Sequence, residues 1–449
     1  MSSHSTVAQF RSAALALAVA LLLPIAAPAQ EAPEIKHIAD ALVAEALEGN
    51  LGLDQLEANV DERLAVLDQA RAAYLPQIDL QLRFSAADGG REIEIPALDL
   101  RFRFLREREQ DSFLRLTQPI YDARIAAERR GAEHVHDAAR HGLEAYQLRL
   151  ARDVRQAYYR WLTARESIGV LEATARLATE NERVNDSLYR NGKVTRDLRL
   201  RAEADHLEIE QQLLRARAAE DLARRYLNLL CNAPLEREPE AAVVTDSDLP
   251  RLAFGMPAGR GAVLEETALD RRAELRELDA GIAAAAASEQ AARAAFKPQL
   301  AFAVDAGTQG EDWDYADQDS YVLASLIVRF NLFRGGADRA AVRAARAQNA
   351  ELKAGRELAE QQIRIEVQQA ISDLEVAEAS LATAGRRVEA AEAAFTIVAK
   401  KRDLGQVSPA EYLDAQRALT EARLNGNVTR FDALAALAQV EYAVGGMER

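Results

Sequence analysis

The chain has 449 residues and sets 71 Asp and Glu against 56 Lys and Arg, a formal net charge of −15. That acidity excludes nucleic acid as a natural partner, and a single cysteine, Cys231, excludes an intrachain disulfide framework. After Ala29 no run of about 18 apolar residues occurs, so the rest of the chain holds no candidate for a membrane-spanning helix.

Residues 1–29 read as a secretory signal. Arg11 gives a positive flank, Ala13 to Leu23 an apolar run, Pro24 a break and Ala27-Pro28-Ala29 a small-residue cleavage site. From Glu34 to Ala73 the pattern is helical, with a break at Gly49-Asn50 and a stop at Tyr74-Leu75-Pro76. The period then drops to two. Ile78, Leu80, Leu82 and Phe84 alternate with Asp79, Gln81, Arg83 and Ser85, which predicts a strand with one apolar and one polar face. A second strand is expected over Ser112 to Ile120, running through Gln118-Pro119-Ile120-Tyr121-Asp122 into a long helix. Between them, residues 98–105 also alternate. An odd number of crossings would leave the next helix on the wrong side of a membrane, so this run is read as an extended outer loop.

The long helix carries a seam of Leu143, Leu150, Ala157, Ala164, Leu171 and Ala178 beside Val154, Trp161, Ile168 and Ala175. Strict sevens underwind a seam to 3.5 residues per turn and make neighbouring helices coil about one another. A turn at Asn191-Gly192-Lys193-Val194-Thr195 sends the chain back to about Cys231. Residues 234–261, rich in proline and acid, read as a connector of loop and short helices.

The same grammar then repeats. Phe296-Lys297-Pro298 ends a helix, Leu300, Phe302 and Val304 alternate, and a loop with Gly310, Trp313 and Tyr315 follows. Tyr321 to Phe330 returns as a strand with Val322, Leu326, Val328 and Phe330 outward, and Gly335-Gly336 opens another long helix. Its seam is Val367, Leu374, Leu381, Val388 and Phe395, with Ala370, Ala377, Ala384, Ala391 and Val398. A turn at Gly405-Gln406-Val407-Ser408-Pro409 leads into a return helix. The chain is therefore a tandem duplication, 30–233 and 262–449, each half a helix, two strands and a long helical hairpin. Two-faced strands suit a barrel with lipid outside and water within, but four strands cannot close alone. Identical chains must share the barrel, and their helices continue its wall as a hollow conduit.

Tyr74-Leu75-Pro76-Gln77, Gln118-Pro119-Ile120-Tyr121-Asp122, the Gly192 and Gly405 turns, and Val407-Ser408 with Tyr412-Leu413-Asp414-Ala415 resemble TolC-type outer-membrane channel proteins. The resemblance spans nearly the whole chain after residue 29. It implies a mostly α fold with a transmembrane β part. Three copies would close a 12-stranded barrel on an α-helical tunnel, in the outer membrane with the helices in the periplasm. It implies a homotrimer in outer-membrane lipid, a periplasmic adaptor protein, and an inner-membrane pump or ABC exporter as partners. The activity implied is a passive exit duct for small toxic compounds or polypeptide, not an enzyme, with no cofactor. In that family the periplasmic end narrows at acidic rings just past the second turn, positions that fall on Glu411 and Asp414 here. Six carboxylates in a threefold constriction would attract cations.

Gly192, Val194, Thr195 and Asp197 at one tip, and Gly405, Val407 and Ser408 at the other, are the expected adaptor contacts. The family's arginine and tyrosine that lock the closed entrance align with Val407 and Arg402, so that lock is not preserved in detail. Arg201, the duplicate of Asp414, is a candidate to pair with it across hairpins. A soluble periplasmic coiled-coil adaptor or scaffold is the alternative, although such a protein would carry one hairpin between small β domains. His134, His136 and His141 do not share one helix face and are not read as a metal site.

Overall fold

The computed structural model describes residues 34–88, 92–103, 107–242, 261–311 and 319–446. The expected signal segment 1–29, most of the connector, and the loop residues Trp313 and Tyr315 lie outside the described residues.

Helix α1 (Glu34–Gly49) breaks at Asn50, whose side chain accepts from the N–H groups of Gly52 and Leu53 at 3.0 and 3.2 Å and so starts α2 (Leu51–Ala72). Past Pro76 the chain extends as β1 (Gln77–Ala86). Of the run 98–105 read as an outer loop, β3 (Leu100–Arg103) pairs with β2 (Glu92–Ile95) in a two-stranded hairpin outside the main sheet, and residues 104–105 lie outside the described residues. Leu98 sits in the short turn between them and Asp99 takes a φ of 52°, which ends the alternation. Strand β4 (Arg108–Tyr121) bulges between Pro119 and Tyr121, where the missing proline N–H costs no ladder bond. Asp122 then caps α3 (Ala123–Arg190) by accepting from Arg124 N–H at 2.8 Å.

Helix α4 (Arg196–Leu230) completes the first hairpin. The second half supplies α5 (Gly261–Arg271), α6 (Ala273–Arg293), β5 (Gln299–Glu311), β6 (Ser320–Arg329), α7 (Ala337–Asp403) and α8 (Pro409–Ala443). At 67 and 68 residues, α7 and α3 are each about 100 Å long at 1.5 Å per residue.

The four long strands form one antiparallel sheet in the order β1-β4-β5-β6, so the two halves join at β4–β5. The register stacks Ile78 beside Leu116, Leu116 beside Val304 and Phe302 beside Leu326, making one face mostly apolar, with Gln118, Ser112 and Thr308 among its polar members. Ile78, Leu80, Val322 and Leu326 on it are 62–76% exposed, a loss in water and a gain against hydrocarbon. The opposite face carries charge in matched pairs. Arg115 on β4 grips Asp305 on β5 with two bonds of 2.6 and 2.7 Å, and Arg83 on β1 meets Asp111 on β4 at 3.0 Å.

Every seam position expected on α3 and α7 is buried or half-buried. Helix α3 packs against α4 and α8, and α8 against α7, so α4 and α7 flank the hairpin pair. Towards the sheet, α2 and α6 pack on α3, and α6 also on α7. Midway along, α1 lays Ile35, Ile38 and Leu42 against Val154, Tyr158 and Trp161 of α3 and Phe431 of α8. The Tyr158 hydroxyl donates to the Glu240 carbonyl and accepts from Ala242 N–H, both at 3.1 Å, tying the start of the connector to this core.

Cys231 belongs to the same core, and burial pushes its thiol pKa up to about 11. Both the burial and the protonated thiol oppose reaction. At pH 8, folded protein is expected to resist maleimide for hours and to label within minutes in denaturant, followed by mass spectrometry.

Candidate functional site

The end of the hairpins farthest from the sheet holds most of the residues singled out in the sequence. Both turns use one backbone device. Gly192 and Gly405 take φ values of 64° and 71°, which L side chains avoid. Lys193 N–H and Gln406 N–H each reach back to a carbonyl five residues earlier, Leu188 and Lys401, at 2.8 Å. A Cβ at either glycine would meet open space, so conformation alone demands glycine. Ser408 caps α8 by accepting from Glu411 N–H at 3.2 Å, with Pro409 in the first turn. Thr195 precedes α4 but does not cap it; a side-chain bond with Thr195 holds the Asp197 carboxyl below its usual range. Gly192, Thr195, Asp197, Gly405 and Ser408 are exposed, and Val194 and Val407 are half-buried.

Glu411 and Asp414 are exposed on α8, while Tyr412, Leu413 and Gln416 on its other side are buried. Arg201 does not reach Asp414 within one chain; it lies near Asp197, one turn back on its own helix. Nearest the tips, an ion pair crosses between hairpins from Arg417 of α8 to Asp205 of α4, at 3.0 Å, with Glu208 at 3.7 Å from the same guanidinium. The Asp205 side chain is 1% exposed. Burial pushes its carboxyl above the ordinary value of 3.8, against the pull of Arg417.

Asp205 belongs to a polar seam that the sequence reading missed. Asn181, Asn185 and Gln416 are buried near it, and Thr174 meets Thr420 at 3.0 Å across the hairpins. Asn185 donates to Asn181 Oδ1 at 3.1 Å, but Asn181 Nδ2, Asp205 Oδ2 and Gln416 Oε1 have no hydrogen-bond partner among the described residues. Thr174, Asn181 and Asn185 follow steps of seven and four along α3, and that spacing was a readable signal of polar residues in the seam. Beside them Arg402 stacks over the Tyr412 ring at 4.0 Å, and Phe395 meets the same ring at 5.5 Å. Arg402 thus stands where the family's locking tyrosine was expected, holding a tyrosine from the next helix.

The three histidines lie apart from this region. His141 meets Glu144 at 3.2 Å and His136 meets Asp137 at 3.8 Å; no metal-holding group occurs among the described residues.

A sheet with one lipid face, set on two coiled hairpins whose tips are exposed, defines one subunit of a membrane channel with an aqueous extension. A family model described as outer membrane efflux protein matches residues 42–233 and 264–446, and the chain belongs to that family. The solvent efflux pump outer membrane protein SrpC of Pseudomonas putida is 25% identical over 433 residues, 95% of this chain and 88% of that protein. The pyoverdine export outer membrane protein OpmQ of Pseudomonas putida is 25% identical over 313 residues, 69% of this chain but only 64% of that protein's length. The solved CmeC outer membrane channel of Campylobacter jejuni shares the fold at a TM-score of 0.80 and 18% identity, covering 91% of this chain and 86% of that one. Membership sets aside the soluble adaptor or scaffold.

Arg417→Ala strands a buried carboxylate and is expected to weaken the contact between hairpins by about 2 kcal/mol, seen as a lower thermal midpoint. Asp205 has a folded pKa above its unfolded one, so the folded state holds its proton more tightly. That contribution is complete below about pH 3.8 and is lost as pH rises through the raised value. Asp205→Asn should therefore flatten the fall in thermal midpoint over the range just above pH 3.8, while the wild type keeps it. Gly405→Ala forces a left-handed alanine and should cost about 1 kcal/mol by the same measurement.

Proposed function

We propose that three copies of the chain close a 12-stranded barrel in the outer membrane, continued into the periplasm by a tunnel of coiled helices. The assembly is the passive exit duct of a tripartite efflux system. One observation carries this reading. The sheet has a lipid face, yet β1 and β6 each have only one neighbour. An open edge in hydrocarbon leaves backbone groups unbonded at several kcal/mol apiece, so β6 of one copy must pair with β1 of the next. Two copies would give eight strands, a barrel that side chains fill, whereas three leave a lumen. The flanking helices support the same closure. Leu207, Leu214 and Leu222 on α4, and Leu358, Ile365 and Val376 on α7, are 57–69% exposed and would meet across each subunit boundary.

The exposed tips suit docking of a periplasmic adaptor, through Gly192, Val194, Thr195 and Asp197 on one hairpin and Gly405, Val407 and Ser408 on the other. Glu411 and Asp414 would form the acidic entrance, and the inner-membrane pump or ABC exporter supplies the energy. The candidate Arg201–Asp414 pair, not made within one chain, would form between neighbouring subunits. Residues 1–29 direct export. SrpC is named for solvent and OpmQ for pyoverdine, which favours small compounds over polypeptide as cargo.

In planar bilayers the purified protein should show small cation-selective openings that enlarge and lose selectivity in Glu411→Ala/Asp414→Ala. Openings indifferent to that change would remove the acidic entrance and keep the duct. Folded, inserted protein without conductance would remove both.

A further inference from the structure

A cavity of about 640 Å³ lies where the sheet meets the helices, between the end of α6, the starts of α3 and α7, and the near ends of β5 and β6. Its lining includes small apolar side chains, Ala291, Ala292, Ala295 and Ala341, and the cationic Arg124, Lys297, Arg329 and Arg334. Two of these are satisfied. Arg124 holds Glu128 at 2.6 Å and Arg334 holds Asp338 at 3.3 Å, while Asn331 donates to the second Asp338 oxygen at 2.6 Å. Lys297 and Arg329 form no ion pair among the described residues, and both are exposed. The cavity lining therefore combines two positive charges without an ion pair among the described residues and several alanines.

Its side of the sheet follows from the register. Arg329 lies directly opposite Gln299, and Gln299 shares a face with Asp305, six residues along the same strand. That face bears the Arg115–Asp305 and Arg83–Asp111 pairs and is the one turned away from lipid.

We propose that this cavity is a binding site for an amphipathic organic anion, its anionic head between Lys297 and Arg329 and its apolar tail along the alanines. The proposal rests on the duct reading, under which three such cavities open into the lumen at the level where the barrel begins. A guanidinium and an ammonium lining one cavity favour a carboxylate, sulfonate or phosphate head over a neutral one. The head could belong to cargo passing through the duct or to a phospholipid of the adjacent leaflet. The placement on the polar face favours cargo.

The test uses the full-length protein in a neutral phosphatidylcholine bilayer with octanesulfonate as the probe. Wild type should be blocked reversibly, and Lys297→Gln/Arg329→Gln should need at least tenfold more probe for half-block while conducting normally without it. Lys297→Arg/Arg329→Lys should restore the wild-type block, which separates charge from folding. Equal block in wild type and the glutamine variant, or no block of a conducting wild type that also retains no anionic phospholipid, overturns the site and leaves the duct intact. A wild type that does not conduct overturns the duct and the site together. Native mass spectrometry of protein extracted from membranes separates the two sources. An anionic phospholipid retained by wild type and lost from the glutamine variant, without any sulfonate block, assigns the same chemistry to a lipid head and removes the cargo.

Discussion

A backbone amide inside lipid has no water to bond, and the architecture of this chain answers to that constraint. Its four long strands bond to one another in a single antiparallel ladder, with the two halves of the duplication joined at β4–β5. The residues between the ladder bonds then sort by face. Ile78, Leu80, Leu116 and Val304 give the hydrocarbon an apolar surface, while Arg115 with Asp305 and Arg83 with Asp111 keep charge on the other side in pairs. An unpaired arginine there would leave a carboxylate on the next strand uncompensated, so these cross-strand pairs also hold the register across the join.

The helices face a different solvent and use a different principle. Seven-residue seams bring long helices together over about 100 Å, which no compact core could span. Most of that contact is alanine and leucine, and it is anchored midway by the α1 core around Tyr158 and Trp161. Towards the tips the packing changes character. Asn181, Asn185, Asp205 and Gln416 replace apolar residues, and several of their polar atoms lack hydrogen-bond partners among the described residues. A contact of that kind is weaker than an apolar one of equal area. The two hairpins are thus held firmly at their middle and loosely at the end where a partner would dock.

Much of this was legible beforehand, and the reasons are local. Alternation over Ile78 to Phe84 and Leu300 to Val304 reports the two faces of a strand because side chains point oppositely at each step. The glycines at 192 and 405 report turns because only glycine adopts their φ values cheaply. The run 98–105 was read only as an outer loop, since alternation alone does not reveal whether a short run pairs with a local neighbour, as β3 does with β2, or joins the main sheet. At the tips, Arg201 was the expected partner across hairpins, from the symmetry of the duplication. Within one chain the cross-hairpin pair nearest the tips is Arg417 with Asp205, since the repeat offset does not encode which side chains of α4 and α8 come within reach.

By itself, then, the order of residues determined the element types, their duplication, the lipid-facing side of each strand and the position of both turns, all set by neighbours within a few residues. Tertiary structure decided which strands adjoin, which faces of α3, α4 and α8 meet, that Asp205 is buried, and that Lys297 and Arg329 converge on one cavity. Those outcomes depend on the relative rotation and stagger of elements far apart in the chain. No local period records that geometry.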